Sequence, residues 1–255
     1  MVFVLGLLGV AALSLLFYMI KQAFLNQVIE TEVFLSGFPS SFDGMSLFFI
    51  SDVHERKIHD DIINEVKGKT DIVIIGGDFI EKGVSLEQAK ENLEKLKKVA
   101  PVYFVWGNND YDGDFRGLDA LLLESGVKIL DNTAVAFQQD DETLVLVGVD
   151  DVGVGRDNLP LALSDSEAGF KILVSHNPDI IDEVQEKDNI KLILSGHTHG
   201  GQIRFFGWGI REVGGWKNRR GTKMLISNGY GTRAIPFRLG APAQTHFLVL
   251  KNKGD

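Results

Sequence analysis

The chain of 255 residues contains no cysteine. Disulfides and thiolate metal sites are therefore excluded, and any metal must be held by histidine, aspartate, glutamate, asparagine or water. The same absence does not fix a compartment. Excess positive charge is missing too. With 26 Lys and Arg against 35 Asp and Glu, the net charge is −9, which argues against tight, non-specific nucleic-acid binding and so against a nuclease. No internal repeat and no low-complexity tract is present. No Lys or Arg precedes the apolar N-terminus, and no A-x-A cleavage site follows it.

That N-terminus is the first feature that is present. From Val2 to Ile20 only Ser14 and Tyr18 carry polar side-chain groups. As a helix this stretch would span about 28 Å at ~1.5 Å per residue, close to a hydrocarbon core of ~30 Å. A cleaved signal peptide is the competing reading. The run exceeds an apolar h-region of about 7–15 residues and lacks its flanks, so an uncleaved, single-pass anchor over residues 1–21 in the cell membrane is expected. Lys21 is the nearby basic residue, and one charge does not settle which side the rest of the chain faces. Residues 22–44, with the turn cluster Ser36-Gly37-Phe38-Pro39-Ser40-Ser41, read as a linker, and residues 45–255 as one globular domain. A single span need not contribute to the core, so removal of residues 1–24 is expected to leave a folded domain.

Within the domain, short apolar runs alternate with amphipathic segments. Leu47–Ser51, Asp71–Gly76 and Pro101–Trp106 read as buried strands, and Leu86–Val99 has helical spacing with a charged outer side. Further strands are expected at Thr143–Val149, Lys171–Ser175, Lys191–Ser195 and Met224–Ser227, with a helix at Pro178–Lys187. Gln202–Arg204 and Thr245–Leu250 read as antiparallel pieces. Two packed sheets with outer helices fit this order.

The informative residues follow the strands. Asp52-Val53-His54, Gly77-Asp78, Gly107-Asn108-Asn109-Asp110, His176 and Gly196-His197-Thr198-His199 each come directly after an apolar run. In open α/β sheets ligands bind beyond the carboxyl ends of strands, so five elements deliver Asp, His and Asn to one rim. Singly, each signal has a bland explanation: a satisfied core histidine, or turn chemistry at an aspartate. Together they are specific, because four of the 6 histidines fall in the set. Two divalent cations about 3.5–4 Å apart would clamp the attacking and leaving oxygens of an in-line displacement at phosphorus. A bridging carboxylate would hold them together, neutral imidazoles and an amide would complete their shells, and a hydroxide formed there at neutral pH would attack.

At these residues the sequence resembles the calcineurin-like metallophosphoesterase superfamily, whose pattern is D-x-H, GD, GNH[DE], a lone H and GHxH. The resemblance runs over about residues 45 to 250. The apolar N-terminus, Gly-His-Thr-His-Gly-Gly-Gln-Ile and Arg238-Leu239-Gly240-Ala241-Pro242 are similar to its bacterial membrane-associated branch. It implies a four-layer α/β/β/α sandwich of two mixed sheets behind one transmembrane helix. It also implies that Asp52, His54, Asp78 and His199 hold one metal, and that Asp78 as bridge, Asn108, His176 and His197 hold the other. Mn²⁺ is the expected ion at both, with iron or zinc as alternatives. The implied activity is hydrolysis of a phosphodiester or pyrophosphate bond at the membrane surface, on a phosphate-containing small molecule or a lipid-linked substrate.

Asn109 and Asp110 are the expected catalytic residues, and Asn109 departs from the pattern. It stands where the family has a histidine that helps protonate the leaving group. Asparagine donates a hydrogen bond but cannot titrate, which tilts the substrate towards a leaving group that departs as a stable anion. It is also the one feature that favours the alternative, a membrane-tethered metal- or phosphate-binding scaffold without turnover. Glu81 reads either as support for the ligands or as helix N-terminal charge. His59 reads as a solvated residue at a helix start, and His246 as structural. Between Gly201 and Gly240, Glu212 is the only acid among Arg204, Arg211, Lys217, Arg219, Arg220, Lys223, Arg233 and Arg238. That segment would face an anionic substrate, an anionic lipid surface, or simply solvent. Trp208 and Trp216 within it are expected either in hairpin packing or at the membrane interface.

Overall fold

The computed structural model describes residues 2–254. In chain order, helix α1 spans Val2–Ala23 and strand β1 spans Val28–Leu35. The alternating half continues with β2 (Ser46–Ile50), α2 (Asp60–Val66), β3 (Ile72–Gly76), α3 (Leu86–Lys97), β4 (Val102–Val105), α4 (Asn108–Asp112), α5 (Phe115–Glu124) and β5 (Lys128–Ile129). The second half holds β6 (Thr133–Gln139), β7 (Glu142–Gly148), α6 (Leu159–Ser164), β8 (Phe170–Val174), β9 (Ile190–Ser195), β10 (Gly215–Arg219), β11 (Thr222–Ile226) and β12 (Thr245–Asn252).

Two six-stranded mixed sheets result, ordered β1-β12-β2-β3-β4-β5 and β10-β11-β9-β8-β7-β6. The period-2 alternation of the apolar strands builds four layers. Phe48, Ile50, Val73 and Ile75 face outward onto Ile62, Leu93 and Leu118 of α2, α3 and α5. Leu47, Phe49, Ile72 and Ile74 face inward and meet Leu146, Ile172 and Leu194 of the other sheet. Val145, Val147, Leu173 and Ile193 face the other way, onto Leu159 and Ala162 of α6. Strands buried on both faces read as unbroken apolar runs, which is why these were visible in sequence. The expected sandwich is the observed one.

Three expectations change. The segment 22–44 is not a linker, because β1 pairs in parallel with β12 from Val28↔Thr245 to Leu35↔Asn252 and buries Val33 and Leu35 between the sheets. The expected helix Pro178–Lys187 is instead two 3-10 turns, Pro178–Asp182 and Glu186–Asp188. Asp188 Oδ2 takes the Gln185 N–H at 2.8 Å, a local bond that competes with helix propagation. Finally, Thr245–Leu250 lies antiparallel to β2 but parallel to β1, and Ile203 makes a single parallel bridge to Leu239.

Helix α1 is long and apolar enough to cross a membrane, and its most apolar window has no residue buried against the domain. Its last turns are tied in, however. The Arg238 N–H donates to Met19 O at 3.1 Å and the Ala243 N–H to Gln22 O at 3.0 Å, and Ala23 is buried. The Arg56 guanidinium also reaches Ala23 O at 3.3 Å. These contacts run against the expectation that residues 1–24 can be removed without consequence.

Candidate metal centre

The carboxyl ends of β2, β3, β4, β8 and β9 meet along one rim, and each is followed by its expected ligand residue. Asp52, His54, Asp78, His176 and His199 are buried, while Asn108 and His197 are half-buried and open the site on one side. The loops reach this arrangement by an uncommon backbone route. Asp52 (φ 54°), His54 (φ 53°), Asp78 (φ 52°), His197 (φ 68°) and His199 (φ 49°) all lie in the left-handed region. Such a conformation costs about 1–3 kcal/mol per residue and persists only where the surroundings enforce it.

Those surroundings are specific. The Asp52 N–H donates to Gly77 O at 3.0 Å, the Val53 N–H to Asp78 O at 2.8 Å and the Gly231 N–H to Asp52 O at 2.6 Å. The His197 N–H donates to Asp52 Oδ1 at 3.1 Å. Gly229 (φ 77°) closes the back, where a Cβ would stand 2.6 Å from that of Asp52. Asp110 is the main brace. Its carboxylate accepts the N–H groups of Asp78, Phe79, Ile80 and Gly107 at 2.8–2.9 Å, and so pins the loop after β3 to the loop after β4. Burial and the Asp78 charge push this carboxyl up to about 7, against the pull of its amide donors. Both of its oxygens are thus engaged by backbone donors.

The ligand atoms converge in two overlapping clusters. Asp52, His54 and His199 form one, Asp52, Asp78 and His176 the other, with one donor atom from each residue within 4.8 Å of the rest. His54 Nε2 and His199 Nε2 are 3.1 Å apart. Asp78 Oδ2 lies 3.2 Å from His176 Nε2 and 3.8 Å from His54 Nε2, so it reaches both clusters. His197 Nδ1 joins the second cluster, 3.3 Å from His176 Nε2 and 3.0 Å from Asn108 Oδ1. Asp52 is thus common to both clusters, and Asp78 touches both.

The protonation pattern follows from this packing. Burial opposes a charge on His176, yet Asp78 drives it well above the ordinary imidazole range. On His54 burial again opposes, while Glu81, 3.1 Å from Nδ1, and Asp78 push it up. His197 is pushed down to about 4 by burial and by His176, and His199 well below its ordinary value by burial, His54 and Arg238. Burial works against the Asp78 carboxylate, but His176 holds it well below the usual range. Burial raises Asp52, against the His176 charge. Each imidazole pair therefore joins one proton-binding ring to one neutral ring beside buried carboxylate. Oxygen and imidazole donors without thiolate are the set that Mn²⁺, Fe or Zn takes, so the residues present fit two divalent cations.

Several features were not drawn from the sequence. Arg238 is fully buried, donating to Asn228 O at 2.7 Å, Gly231 O at 2.5 Å and His199 Nδ1 at 3.1 Å. A guanidinium only donates, so the proton of neutral His199 sits on Nε2, and a cation there must displace it. Asp151 follows β7 on the same rim, buried, with Oδ2 free of hydrogen bonds among the described residues. The apolar run ending in Val149-Asp150-Asp151 was its signal. Asn109 is buried and turns its Nδ2 onto Asp78 Oδ2 at 2.6 Å. Glu81 sits in the loop before α3, not in its first turn, which leaves the His54 contact as its role. Exposed His59 caps α2 by accepting the Asp61 N–H, and buried His246 bonds Ser227 Oγ at 3.1 Å.

The basic segment divides. Arg219 and Lys217 pair with Glu212, Arg220 with Asp182, Arg204 with backbone carbonyls, and Lys223 lies over Trp216. Arg211 and Arg233 are exposed, have no carboxylate within 4 Å among the described residues, and line a cleft of about 500 Å³ with His197, His199, Gln202 and Ile210.

A sequence model of calcineurin-like phosphoesterases matches residues 45–201. The uncharacterized Bacillus subtilis protein YpbG is 39% identical over 96% of this chain and 95% of its own length. The Escherichia coli phosphodiesterase YaeI is 31% identical over 62% of each chain. Among solved structures, the Haemophilus influenzae NAD nucleotidase NadN superposes with a TM-score of 0.52 at 16% identity, covering 73% of this chain and 45% of that one.

Proposed function

Since this chain belongs to the calcineurin-like phosphoesterase family, we propose that it hydrolyses a phosphodiester or pyrophosphate bond at a two-cation centre held beside a membrane. The observation that carries this reading is the pair of overlapping buried clusters, joined by Asp52 and Asp78. When bound, divalent cations supply Lewis acidity and lower the pKa of water towards neutrality. Asp52, His54 and His199 would hold one, and Asp78, His176, His197 and Asn108 the other.

The remaining steps fall to the chain's own groups. Arg211 and Arg233 border the cleft and can clamp the non-bridging phosphate oxygens. Water adds to phosphorus and its proton passes to solvent, the P–O bond to the leaving group breaks, and the leaving oxygen departs with the electron pair as an anion. Asn109 has no proton to give, and its amide is turned to Asp78. A leaving group that is stable as an anion, an aryl oxide or a phosphate, therefore suits the site better than an alkoxide. Helix α1 supports a single-pass placement at the cell membrane.

Turnover of bis(p-nitrophenyl) phosphate by the full chain tests the reading. It should require Mn²⁺, stop with chelator and return on adding metal back, and be absent from Asp78→Asn. Chelator-resistant turnover, or none with any of Mn²⁺, Fe²⁺ and Zn²⁺, would count against it.

A further inference from the structure

The cleft beside the two clusters is bordered by a hairpin that the chemistry does not need. Phe205 and Trp208 exchange backbone hydrogen bonds at 2.8 Å in both directions, which turns the chain at Phe206-Gly207. Arg204 braces it from within, donating to Gly200 O at 2.9 Å, Gly207 O at 2.6 Å and Arg211 O at 2.8 Å. The built turn displays only apolar side chains. Phe206 is 105% exposed, Ile210 92%, Trp208 86% and Phe205 60%. Phe206 is also held at φ 50°, so a bulky residue bears backbone strain in order to point outward. Four large apolar groups presented together mark a contact surface, not a solvated loop.

Its connections say what the surface meets. Gln202, at the hairpin's root, bonds Arg233 O at 3.1 Å and Ile235 O at 2.9 Å, and Ile203 bridges to Leu239. The same 233–239 loop reaches α1 where the Arg238 N–H donates to Met19 O. Met19 lies about 26 Å along the helix from Val2 at ~1.5 Å per residue, close to the edge of a hydrocarbon core of ~30 Å. Tyr18, a residue type common at that edge, is exposed beside it. The hairpin is therefore two short connections from the point where α1 leaves the bilayer. Arg211 and Arg233, with no acid partner among the described residues, stand at its base, where anionic headgroups would complement them.

We infer that the 205–210 hairpin is a wedge in the bilayer surface and that the site takes an amphiphilic phosphodiester or pyrophosphate whose hydrocarbon tail stays in the membrane. Phosphate enters the cleft between Arg211 and Arg233, and Ile210, which lines the cleft as well as the exposed tip, carries the apolar surface from bilayer to site. The substrate half of this inference rests on the phosphoesterase reading; the membrane contact does not.

The experiment uses the full chain in phosphatidylcholine–phosphatidylglycerol vesicles and has two arms. In the first, bromine-labelled acyl chains quench tryptophan fluorescence. Trp106 is buried and Trp216 is half-buried against the inter-sheet core, so the quenched emission should belong to Trp208 and vanish in Trp208→Phe. Emission equally quenched with and without Trp208, or not quenched, overturns the wedge and points to a protein partner or to solvent. In the second arm, Phe206→Ser/Trp208→Ser is compared with wild type on two esters of the same leaving group, methyl p-nitrophenyl phosphate in solution and hexadecyl p-nitrophenyl phosphate in the vesicles. Neither residue lines the cleft, and α1 keeps the variant in the membrane. The embedded ester should be lost by about tenfold or more and the soluble one by less than about twofold. Parallel losses, or none on the embedded ester, overturn the substrate half. A wild type inert on both esters refutes the phosphoesterase reading and the substrate half with it, and leaves the quenching arm to decide the wedge.

Discussion

The ligand rim and the segment that covers it, residues 201–240, both hold non-glycine residues in the left-handed region, but they hold them differently. On the rim, Asp52, His54 and Asp78 are buried and fixed by backbone bonds, by the Asp110 carboxylate and by glycines too close to accept a Cβ. In the cover, Phe206 and Ala234 have the same kind of φ and are exposed. Strain on the rim aims donor atoms inward, where a few tenths of an ångström alter metal binding. Strain in the cover turns side chains outward, where position matters less than presence. On the proposed reading, the rim would carry the reaction and the cover would select the phosphate that arrives.

Substitutions should separate the two regions by size of effect. The largest is Asp78→Ala, which removes the oxygen that reaches both clusters. Removing a residue that merely supports a metal ligand typically costs about 10–100-fold, so this change should exceed ~100-fold in kcat/KM on the aryl diester. Any cover substitution with an equal effect would erase the distinction. Asp110→Asn should cost about 10–100-fold in Mn²⁺ affinity, because an amide nitrogen cannot accept from the N–H groups that the carboxylate satisfies. Unchanged metal binding would mean that the rim does not depend on this brace.

The cover should respond in KM. Arg211→Gln and Arg233→Gln should each raise KM for an anionic diester by about tenfold while kcat moves little, as expected for loss of uniform binding. A fall in kcat with constant KM would move the arginines to the transition state. The smallest effect concerns the anchor. Residues 2–17 are exposed, so deleting residues 1–17 should leave the melting temperature unchanged. Deleting 1–24 also removes the acceptors at Met19 and Gln22 and buried Ala23. At about 1 kcal/mol per hydrogen bond and roughly 2–4 °C per kcal/mol, it should melt several degrees lower. Equal melting of the two truncations would restore the independent anchor.

The two regions also differed in how far sequence alone described them. Strands buried on both faces, such as β3 with Ile72 to Ile75, cannot be mistaken, and the rim residues follow directly upon them. Strand β1 was missed because Glu30 and Glu32 interrupt its pattern and its partner β12 lies at the far end of the chain. Such edge pairing is decided by tertiary context, not by local preference. Arg238 was read as a charge and as the start of the Arg238–Pro242 ending, not as a support for His199, since its bonds to His199, Asn228 and Gly231 exist only once distant loops meet. Trp208 and Trp216, alike in sequence, separate into an exposed tip and a half-buried packing residue.

The claim on which all of this rests is a pair of cations joined by shared carboxylates. Calorimetric titration of Mn²⁺ into the chelator-stripped full chain, alongside Asp78→Ala, tests it most directly. The account predicts about two ions per wild-type chain, as in two-metal sites generally, with proton release on binding because Asp78 holds the His176 imidazole well above its ordinary range. In Asp78→Ala both binding events should weaken together. A single ion per wild-type chain at full activity, or an Asp78→Ala protein that loses one ion and binds the other unchanged, would contradict it.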